Sequence, residues 1–337
     1  MTSKGFMKAG IMVGLAVSFH ITMGQAQLAQ PAQQGAAAPP AQAGRGGGQR
    51  GPDPRAQQRT YMFEDTNEQM PYAVFVSSKV SKDKKNPLIV SLHGLGGSQN
   101  TMVGQSLGAV ELAEQGGYIL VTPMGYNCGG WFGVPVGAPR GGGRGGANAE
   151  NPATAPQTGA PNANAAGAPQ RGPGGGRGLA CVGGGTAVTD AAKVRELSEK
   201  DVMNVLAMMR KEFNVDERRI YLMGHSMGGA GTYFLGSKHA KEFAALAPIA
   251  PAAMSMTNDR VKILQAIKDA GVPMLVSMGD ADEVVPLANV RTWAETMKEL
   301  QMNYEYKEYP GVTHGPIMSA SMPDIYKFFE KHSKPAR

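Results

Sequence analysis

The sequence has few cysteines, no familiar metal-binding motif and only one long apolar run. Two cysteines in 337 residues exclude a small scaffold held together by many disulfides. There is no His-Glu-x-x-His motif and no compact group of His, Cys and carboxylate residues, so the sequence argues against a metal-dependent hydrolase. We therefore expect neither a metal nor another cofactor.

The one apolar run lies at the N-terminus. Lys4 and Lys8 precede an uncharged stretch at residues 9–23, which is followed by Gly-Gln-Ala. This pattern predicts a secretory signal peptide over residues 1–26. A membrane anchor is the alternative, but the run is short and Gly-rich for a hydrocarbon layer of about 30 Å. We expect a secreted or periplasmic protein without a stable membrane anchor.

Two segments contain little that a folded core could bury. Residues 27–58 are mostly Ala, Gln, Pro and Gly, and residues 137–178 include the stretch RGGGRGGANAENPATAPQTG. Such compositions predict disorder. The remaining sequence then forms one folded domain over residues 59–337, interrupted by the insertion at 137–178.

The formal net charge of +6 does not indicate a basic binding surface. The excess positive charge lies in the signal-like segment and in the two low-complexity segments, and the rest of the chain is close to neutral. The Arg-Gly clusters could contact nucleic acid as disordered arms, but a solvated linker is the favoured interpretation. We expect no nucleic-acid partner.

The two cysteines flank the insertion. Cys128 precedes it and Cys181 follows it, so a disulfide between them would hold its two ends together in an oxidising compartment. Two free buried thiols are the alternative.

Strand-like and helical patterns alternate over most of the folded part, which predicts a mostly parallel twisted sheet with helices on both faces. The first strands follow one another without a helix and predict an antiparallel hairpin at the edge of the sheet. The predicted strands are 59–65, 72–78, 87–92, 118–123, 219–224, 243–250, 273–278 and 304–309. The predicted helices are 198–213, with Ser198 as N-cap, and 227–238, 258–270, 287–301 and 322–332.

Residues 224–228 form a Gly-x-Ser-x-Gly motif between a predicted strand and a predicted helix. Because the chain contains 46 glycines, the motif alone could arise by chance, but this context is typical of a nucleophile turn. A serine hydroxyl is a weak nucleophile unless a base takes its proton. Ser226 therefore needs a histidine.

His314 is the best candidate for this base. It lies in a short loop after a strand near the C-terminus, in the chain order Ser, acid, His. His225 is expected to face away from the serine hydroxyl, and His93 is expected to hold its Gly-rich loop by hydrogen bonds. The orienting acid should follow the strand at 273–278, where three carboxylates are available: Asp280, Asp282 and Glu283.

Acyl transfer also requires donors for the oxyanion that develops in the transition state. The backbone N–H of Met227, directly after the serine, is one candidate. The turn HGLGGS after the strand at 87–92 makes the N–H of Leu95 the other. A plain glycine-rich turn is the alternative interpretation.

With these motifs together, the domain resembles the α/β-hydrolase superfamily. It is similar to the secreted esterases around feruloyl esterases and polyhydroxyalkanoate depolymerases, which are related to the catalytic domain of prolyl oligopeptidases. The motifs are LHGLGGS, NVDERRIYLMGHSMGGAGTYF, GDADEVVP and GVTHG. The family pattern G-x-x-D-x-x-V-P selects Asp282 as the acid. Leu95 departs from a common form of the oxyanion turn, which has Cys there.

The stretch GYNCGGWFG is similar to a family loop beside the acyl site, which makes Tyr126 and Trp131 candidate substrate contacts. For Trp131 a place in the core is an alternative. The resemblance implies a secreted serine hydrolase that cleaves carboxylic esters, with a small-molecule or polymer ester as substrate. A serine peptidase that acts on short peptides is the alternative, although the chain has no repeats typical of the β-propeller found in prolyl oligopeptidases.

Overall fold

The computed structural model describes residues 51–136 and 183–335. The signal peptide, most of the first low-complexity segment and the insertion lie outside the described residues. Those assignments, and the domain boundaries that depend on them, stay predictions.

An eight-stranded sheet forms the centre of the described structure, with strand order β1-β2-β4-β3-β5-β6-β7-β8. β1 and β2 pair antiparallel, β2 pairs antiparallel with β4, and the remaining neighbours are parallel. This confirms the predicted mostly parallel sheet with an antiparallel hairpin at the edge. The strands are β1 (Gln57–Phe63), β2 (Glu68–Val76), β3 (Asn86–Leu92), β4 (Ile119–Pro123), β5 (Val215–His225), β6 (Ala245–Ile249), β7 (Met274–Gly279) and β8 (Tyr304–Tyr309).

The described part of the chain contains six α-helices, which pack in separate groups. The helices are α1 (Ala109–Gly116), α2 (Ala191–Glu212), α3 (Met227–Lys238), α4 (Arg260–Asp269), α5 (Leu287–Glu299) and α6 (Ile317–Lys331). α1 contacts α6, whereas α4 contacts both α3 and α5. Among residues 51–136 and 183–335, no helix is both long and apolar enough to span a bilayer.

The middle of the sheet is apolar because it is covered on both faces. All residues of β3 are buried, and Leu88, Ile89 and Val90 are wholly inaccessible. Such continuous apolar runs are typical of central parallel strands. The polar side chains needed for chemistry are therefore restricted to the strand ends and the loops that follow them.

Three helix starts differ clearly from the sequence predictions, and one of them is α6, which begins at Ile317 rather than at residue 322. α1 was not predicted; it is short and lies between Gly108 and Gly117, both at positive φ. α2 begins at Ala191 rather than at residue 198, because the side chain of Asp190 accepts a hydrogen bond from the N–H of Lys193 and so caps the helix. Ser198, the predicted N-cap, is buried inside the helix.

The first low-complexity segment ends earlier than predicted. The backbone of Asp53 donates to Val103 at 2.8 Å, Pro52 forms a β-bridge with Gly104, and β1 already begins at Gln57. Residues 51–58 are therefore part of the folded unit. Composition missed this because backbone hydrogen bonds and a single small core side chain, Ala56, attach the segment.

Candidate active site

The proposed nucleophile lies at a sharp turn between β5 and α3. Ser226 has φ 56° and ψ −111°, a combination that a residue other than glycine rarely adopts. Two hydrogen bonds hold it there: its N–H donates to the carbonyl of Ile249 at 2.9 Å, and its carbonyl accepts from the N–H of Ala252 at 3.0 Å. The surroundings thus impose the strained conformation on the serine.

The two glycines of the motif are required by close backbone contacts. A Cβ at Gly224 would lie 2.3 Å from the carbonyl oxygen of Gly228. A Cβ at Gly228 would lie 2.4 Å from the carbonyl oxygen of Leu92. No side chain fits at such distances, so the tight turn dictates glycine at both positions.

Gly228→Ala should therefore destabilise the protein strongly. We expect a loss of about 3 kcal/mol in the free energy of unfolding, at the upper end for overpacking, because the added methyl group meets rigid backbone. Urea unfolding measures this. Gly315→Ala is the matched control, since a Cβ there has no neighbour within 4 Å. Equal unfolding midpoints for the two variants would contradict the steric account.

His314 and one of the three candidate carboxylates are in direct contact. The Nδ1 of His314 lies 2.7 Å from Oδ2 of Asp282, whose side chain is completely buried. A carboxylate accepts hydrogen bonds, so Nδ1 carries the proton. In the neutral ring, Nε2 is then the unprotonated nitrogen that can act as a base.

The other carboxylates near Asp282 face elsewhere. The second oxygen of Asp282 accepts from the N–H groups of Val284 and Val285, both at 2.8 Å, which fixes the carboxylate in the turn. Asp280 accepts from the N–H of Gly311 at 2.6 Å, and Glu283 is exposed. Of the three, Asp282 alone contacts His314.

A cavity of about 560 Å³ brings most of the predicted site residues together. Ser226, His314, Leu95, Met227 and Trp131 all line it. Its other side chains are mostly apolar: Met254, Val284, Val285 and Met318. Leu95, Met254 and Val284 are also half-exposed to solvent. The cavity therefore combines the proposed nucleophile and the proposed base with apolar walls.

Two backbone N–H groups are available at this cavity. Met227 is the first residue of α3, so its N–H has no acceptor within the helix. Within the described residues, the N–H of Leu95 also has no hydrogen-bond acceptor. The neighbouring N–H groups of Gly96 and Gly97 are bonded to the carbonyls of Cys128 and Gly94, which holds the loop in place.

His93 holds the loop after β3, which carries Leu95, through hydrogen bonds of its ring. It is buried, and its two ring nitrogens each lie 2.8 Å from a carbonyl oxygen, those of Gly94 and Met124. Burial lowers the pKa of His93. The side chain thus ties the loop after β3 to the loop after β4, in agreement with the structural role expected from the sequence.

Tyr126 was predicted as a substrate contact, and the structure contradicts this. The residue is completely buried, does not line the cavity, and packs against Phe63 with ring centroids 5.8 Å apart. Its hydroxyl donates to Glu68 at 2.9 Å. Asp201 accepts from the N–H groups of Gly125 and Tyr126, which fixes the turn and directs the side chain into the core.

Two buried or partly buried acids in this region were not identified from the sequence. Burial raises the pKa of Asp201 to about 6, although three hydrogen bonds to its carboxylate act in the opposite direction and lower the pKa. Burial also acts on Glu68, but hydrogen bonds from Thr186, Ala187 and Tyr126 hold its pKa at about 2. Asp201 did carry a sequence signal, because it lies on the apolar stripe of α2. Glu68 carried none.

Tyr126→Phe tests the revised role of this residue. The substitution leaves Glu68 and the N–H of Val188 each without one partner, so we expect a loss of about 1 kcal/mol in stability. Thermal unfolding and ester kinetics should show a lower Tm with an unchanged KM. A raised KM at unchanged Tm would restore Tyr126 as a substrate contact.

The structure describes only one of the two cysteines of the predicted disulfide. Cys128 is buried in a small apolar cluster with Phe63, Met70 and Tyr126, whereas Cys181 lies outside the described residues. The bridge therefore stays a prediction. Within residues 51–136 and 183–335, no group of three or more His, Cys, Asp or Glu residues is placed to hold a metal ion.

The sheet topology and the serine turn are those of the α/β-hydrolase fold. Solved structures of hydrolases share this fold, and residues 184–325 match the model of the Dienelactone hydrolase family.

Two solved structures illustrate the similarity of fold. An S-formylglutathione hydrolase from Agrobacterium tumefaciens shares 14% identity with this chain at a TM-score of 0.57. The match covers 83% of this chain and 95% of the chain of that hydrolase. A CE1 ferulic acid esterase from Anaeromyces mucronatus, solved in complex with ferulic acid, shares 16% identity at a TM-score of 0.54. That match covers 88% of this chain and 96% of the chain of the esterase. At such identities the likeness concerns the fold.

A curated relative is similar over a shorter stretch. The bifunctional acetylxylan esterase/xylanase XynS20E from Neocallimastix patriciarum is 47% identical over 47 residues. The match spans 14% of this chain and 7% of that protein.

Proposed function

We propose that this protein is a secreted serine hydrolase that cleaves carboxylic esters through a covalent acyl-enzyme. Ser226 is the nucleophile, His314 the base and Asp282 the group that orients it. The observation that carries the proposal is the 2.7 Å hydrogen bond between His314 and a completely buried Asp282, at a cavity that also holds the strained Ser226.

The first half-reaction forms the acyl-enzyme. Nε2 of His314 takes the proton of the Ser226 hydroxyl as Oγ attacks the ester carbonyl. The N–H groups of Met227 and Leu95 stabilise the resulting oxyanion. When the intermediate collapses, the bond to the alcohol oxygen breaks and His314 returns its proton to that oxygen.

The second half-reaction uses water in place of the serine. His314 takes a proton from the water as its oxygen attacks the acyl carbon, and then protonates Ser226 as the acid leaves. In both halves His314 becomes transiently positive. The adjacent charge of Asp282 stabilises that state, and its burial strengthens the effect because the local dielectric is low.

The walls of the cavity favour an apolar acyl or alcohol group. Trp131, Met254 and Met318 offer apolar surface, and about 560 Å³ is within the usual range for small-ligand sites. The names of the similar proteins, a ferulic acid esterase and an acetylxylan esterase, support a small-molecule or polymer ester as substrate. The proposal needs no cofactor, and it includes export by the signal peptide at 1–26.

A comparison of ester and amide substrates tests this function. Values of kcat/KM should be measured for p-nitrophenyl acetate, a methyl ester of an aromatic acid and a dipeptidyl p-nitroanilide. We expect the esters to be preferred, because the side chains that line the cavity are mostly apolar and offer few partners for the polar backbone of a peptide. A higher kcat/KM for the amide would replace the proposal by a serine peptidase.

A further inference from the structure

Two histidines meet at the cavity, and the proposed mechanism uses only one of them. His225 is the last residue of β5 and directly precedes Ser226. Its Nε2 lies 2.9 Å from the backbone carbonyl oxygen of His314, and the two imidazole rings are 4.6 Å apart between centroids. His225 is 6% exposed, so it is enclosed rather than solvated.

The contact with His314 fixes the protonation of the His225 ring. A carbonyl oxygen only accepts hydrogen bonds, so Nε2 of His225 carries the proton. Burial, followed by the positive charge that His314 can carry, lowers the pKa of His225 to about 4. The ring is therefore uncharged at neutral pH, with its lone pair on Nδ1. The titratable groups that act on it are His314 and Asp282.

His225 also touches the loop that carries Leu95. A Cβ added at Gly94 would lie 3.1 Å from Nδ1 of His225 and 3.5 Å from Cβ of Ser226. The His225 ring thus packs between the serine turn, the loop after β3 and the loop that holds His314. These three segments carry the nucleophile, the oxyanion donors and the base.

We infer that His225 is a positioning residue, which holds the backbone of His314 against the serine turn and takes no proton from Ser226 itself. This inference rests on the proposed function. His314 is otherwise held through its ring by Asp282, which lies on a different loop. The bond from His225 adds a second point of attachment, made directly from the residue next to the nucleophile, and so couples the position of the base to that of Ser226.

The inference predicts a loss of turnover without a loss of substrate binding. A base displaced by about 1 Å can lower the rate about 100-fold. His225→Phe keeps an aromatic ring but removes the donor, so kcat for p-nitrophenyl acetate should fall by about this factor with KM nearly unchanged. His225→Gln keeps an N–H donor near the position of Nε2 and should restore kcat to within about 10-fold of wild type.

Two controls separate positioning from general damage. His239→Phe removes a partly buried histidine that is bonded to Glu199 and does not line the cavity, and it should leave kcat unchanged. Labelling of Ser226 by a fluorophosphonate, followed by mass spectrometry, tests the proposed nucleophile independently of His225. If Ser226 is not labelled in the wild type, the proposed function fails, whatever the His225 variants do.

Three results would overturn the inference while the function stands. His225→Phe with near wild-type kcat would show that the contact is unimportant. His225→Gln as inactive as a folded His225→Phe would indicate that the imidazole itself exchanges a proton. A shift in the acidic limb of the pH–rate profile in His225→Gln would show that His225 titrates during catalysis. If His225→Phe does not fold, the Gln variant and its pH–rate profile still decide between positioning and proton transfer.

Discussion

Ser226→Ala should reduce kcat for ester hydrolysis by at least about 10⁴-fold, because losing the nucleophile of a serine triad removes nearly all of its catalytic effect. The protein should still fold, since the turn is held by backbone hydrogen bonds from Ser226 and Ala252 that alanine retains. Steady-state kinetics with p-nitrophenyl acetate and a thermal unfolding curve provide the two measurements.

Ser237→Ala is the matched control for this substitution. Ser237 lies on the same helix, α3, and its hydroxyl donates to the carbonyl of Phe234, away from the cavity. Its kcat should equal that of the wild type. If Ser226→Ala kept comparable turnover, the nucleophile would have to be sought elsewhere in the chain.

Asp282→Asn should have the second-largest effect, a fall in kcat of about 10⁴-fold, as expected when the orienting acid of a triad becomes an amide. An amide can donate a proton toward Nδ1 of His314 and so stabilise the wrong tautomer, which leaves Nε2 protonated and unable to act as a base. The bonds from Val284 and Val285 should preserve the turn.

Asp280→Asn is the matched variant for Asp282→Asn. Asp280 lies two residues away and accepts from the N–H of Gly311, a bond that the amide oxygen of Asn can also accept. We expect kcat within about 10-fold of wild type, because the substitution removes the charge of the acceptor but keeps this exposed hydrogen bond. The opposite order of effects, with Asp280→Asn inactive and Asp282→Asn active, would assign the orienting role to Asp280.

Sheet geometry explains why the three proposed catalytic residues, which are distant in sequence, could be expected near one another. Ser226, Asp282 and His314 come after β5, β7 and β8, which lie in one half of the sheet in the order β5-β6-β7-β8. Parallel strands present their C-terminal ends at one edge of a sheet, where ligands bind. A motif located after a strand could therefore be placed near the others without knowledge of any side-chain contact.

The misplaced residue depended on contacts that the sequence does not display. Tyr126 and Trp131 lie five positions apart in one loop, yet only Trp131 lines the cavity. The direction of Tyr126 is set by its positive φ and by hydrogen bonds to Asp201 and Glu68, which are distant in sequence. A resemblance between loops predicts which residues are near a site, but not which of them face it.

The two histidines at the cavity show the same distinction. His225 was expected to face away from the serine hydroxyl; the structure places its Nε2 against the carbonyl of His314, at the cavity that Ser226 also lines. What the sequence did not reveal is that this contact connects the serine turn with the loop of the base. Such a connection depends on the relative position of β5 and the loop after β8, which are about ninety residues apart in the chain.

Mass spectrometry of the trapped acyl-enzyme tests the central claim most directly. The wild-type protein is mixed with p-nitrophenyl acetate, quenched in acid during turnover and digested. The account predicts an added acetyl group on the peptide that contains Ser226, and its absence in Ser226→Ala. Turnover of the wild type with an unmodified Ser226 peptide, or with the acetyl group accumulating on another residue at the rate of turnover, would contradict it.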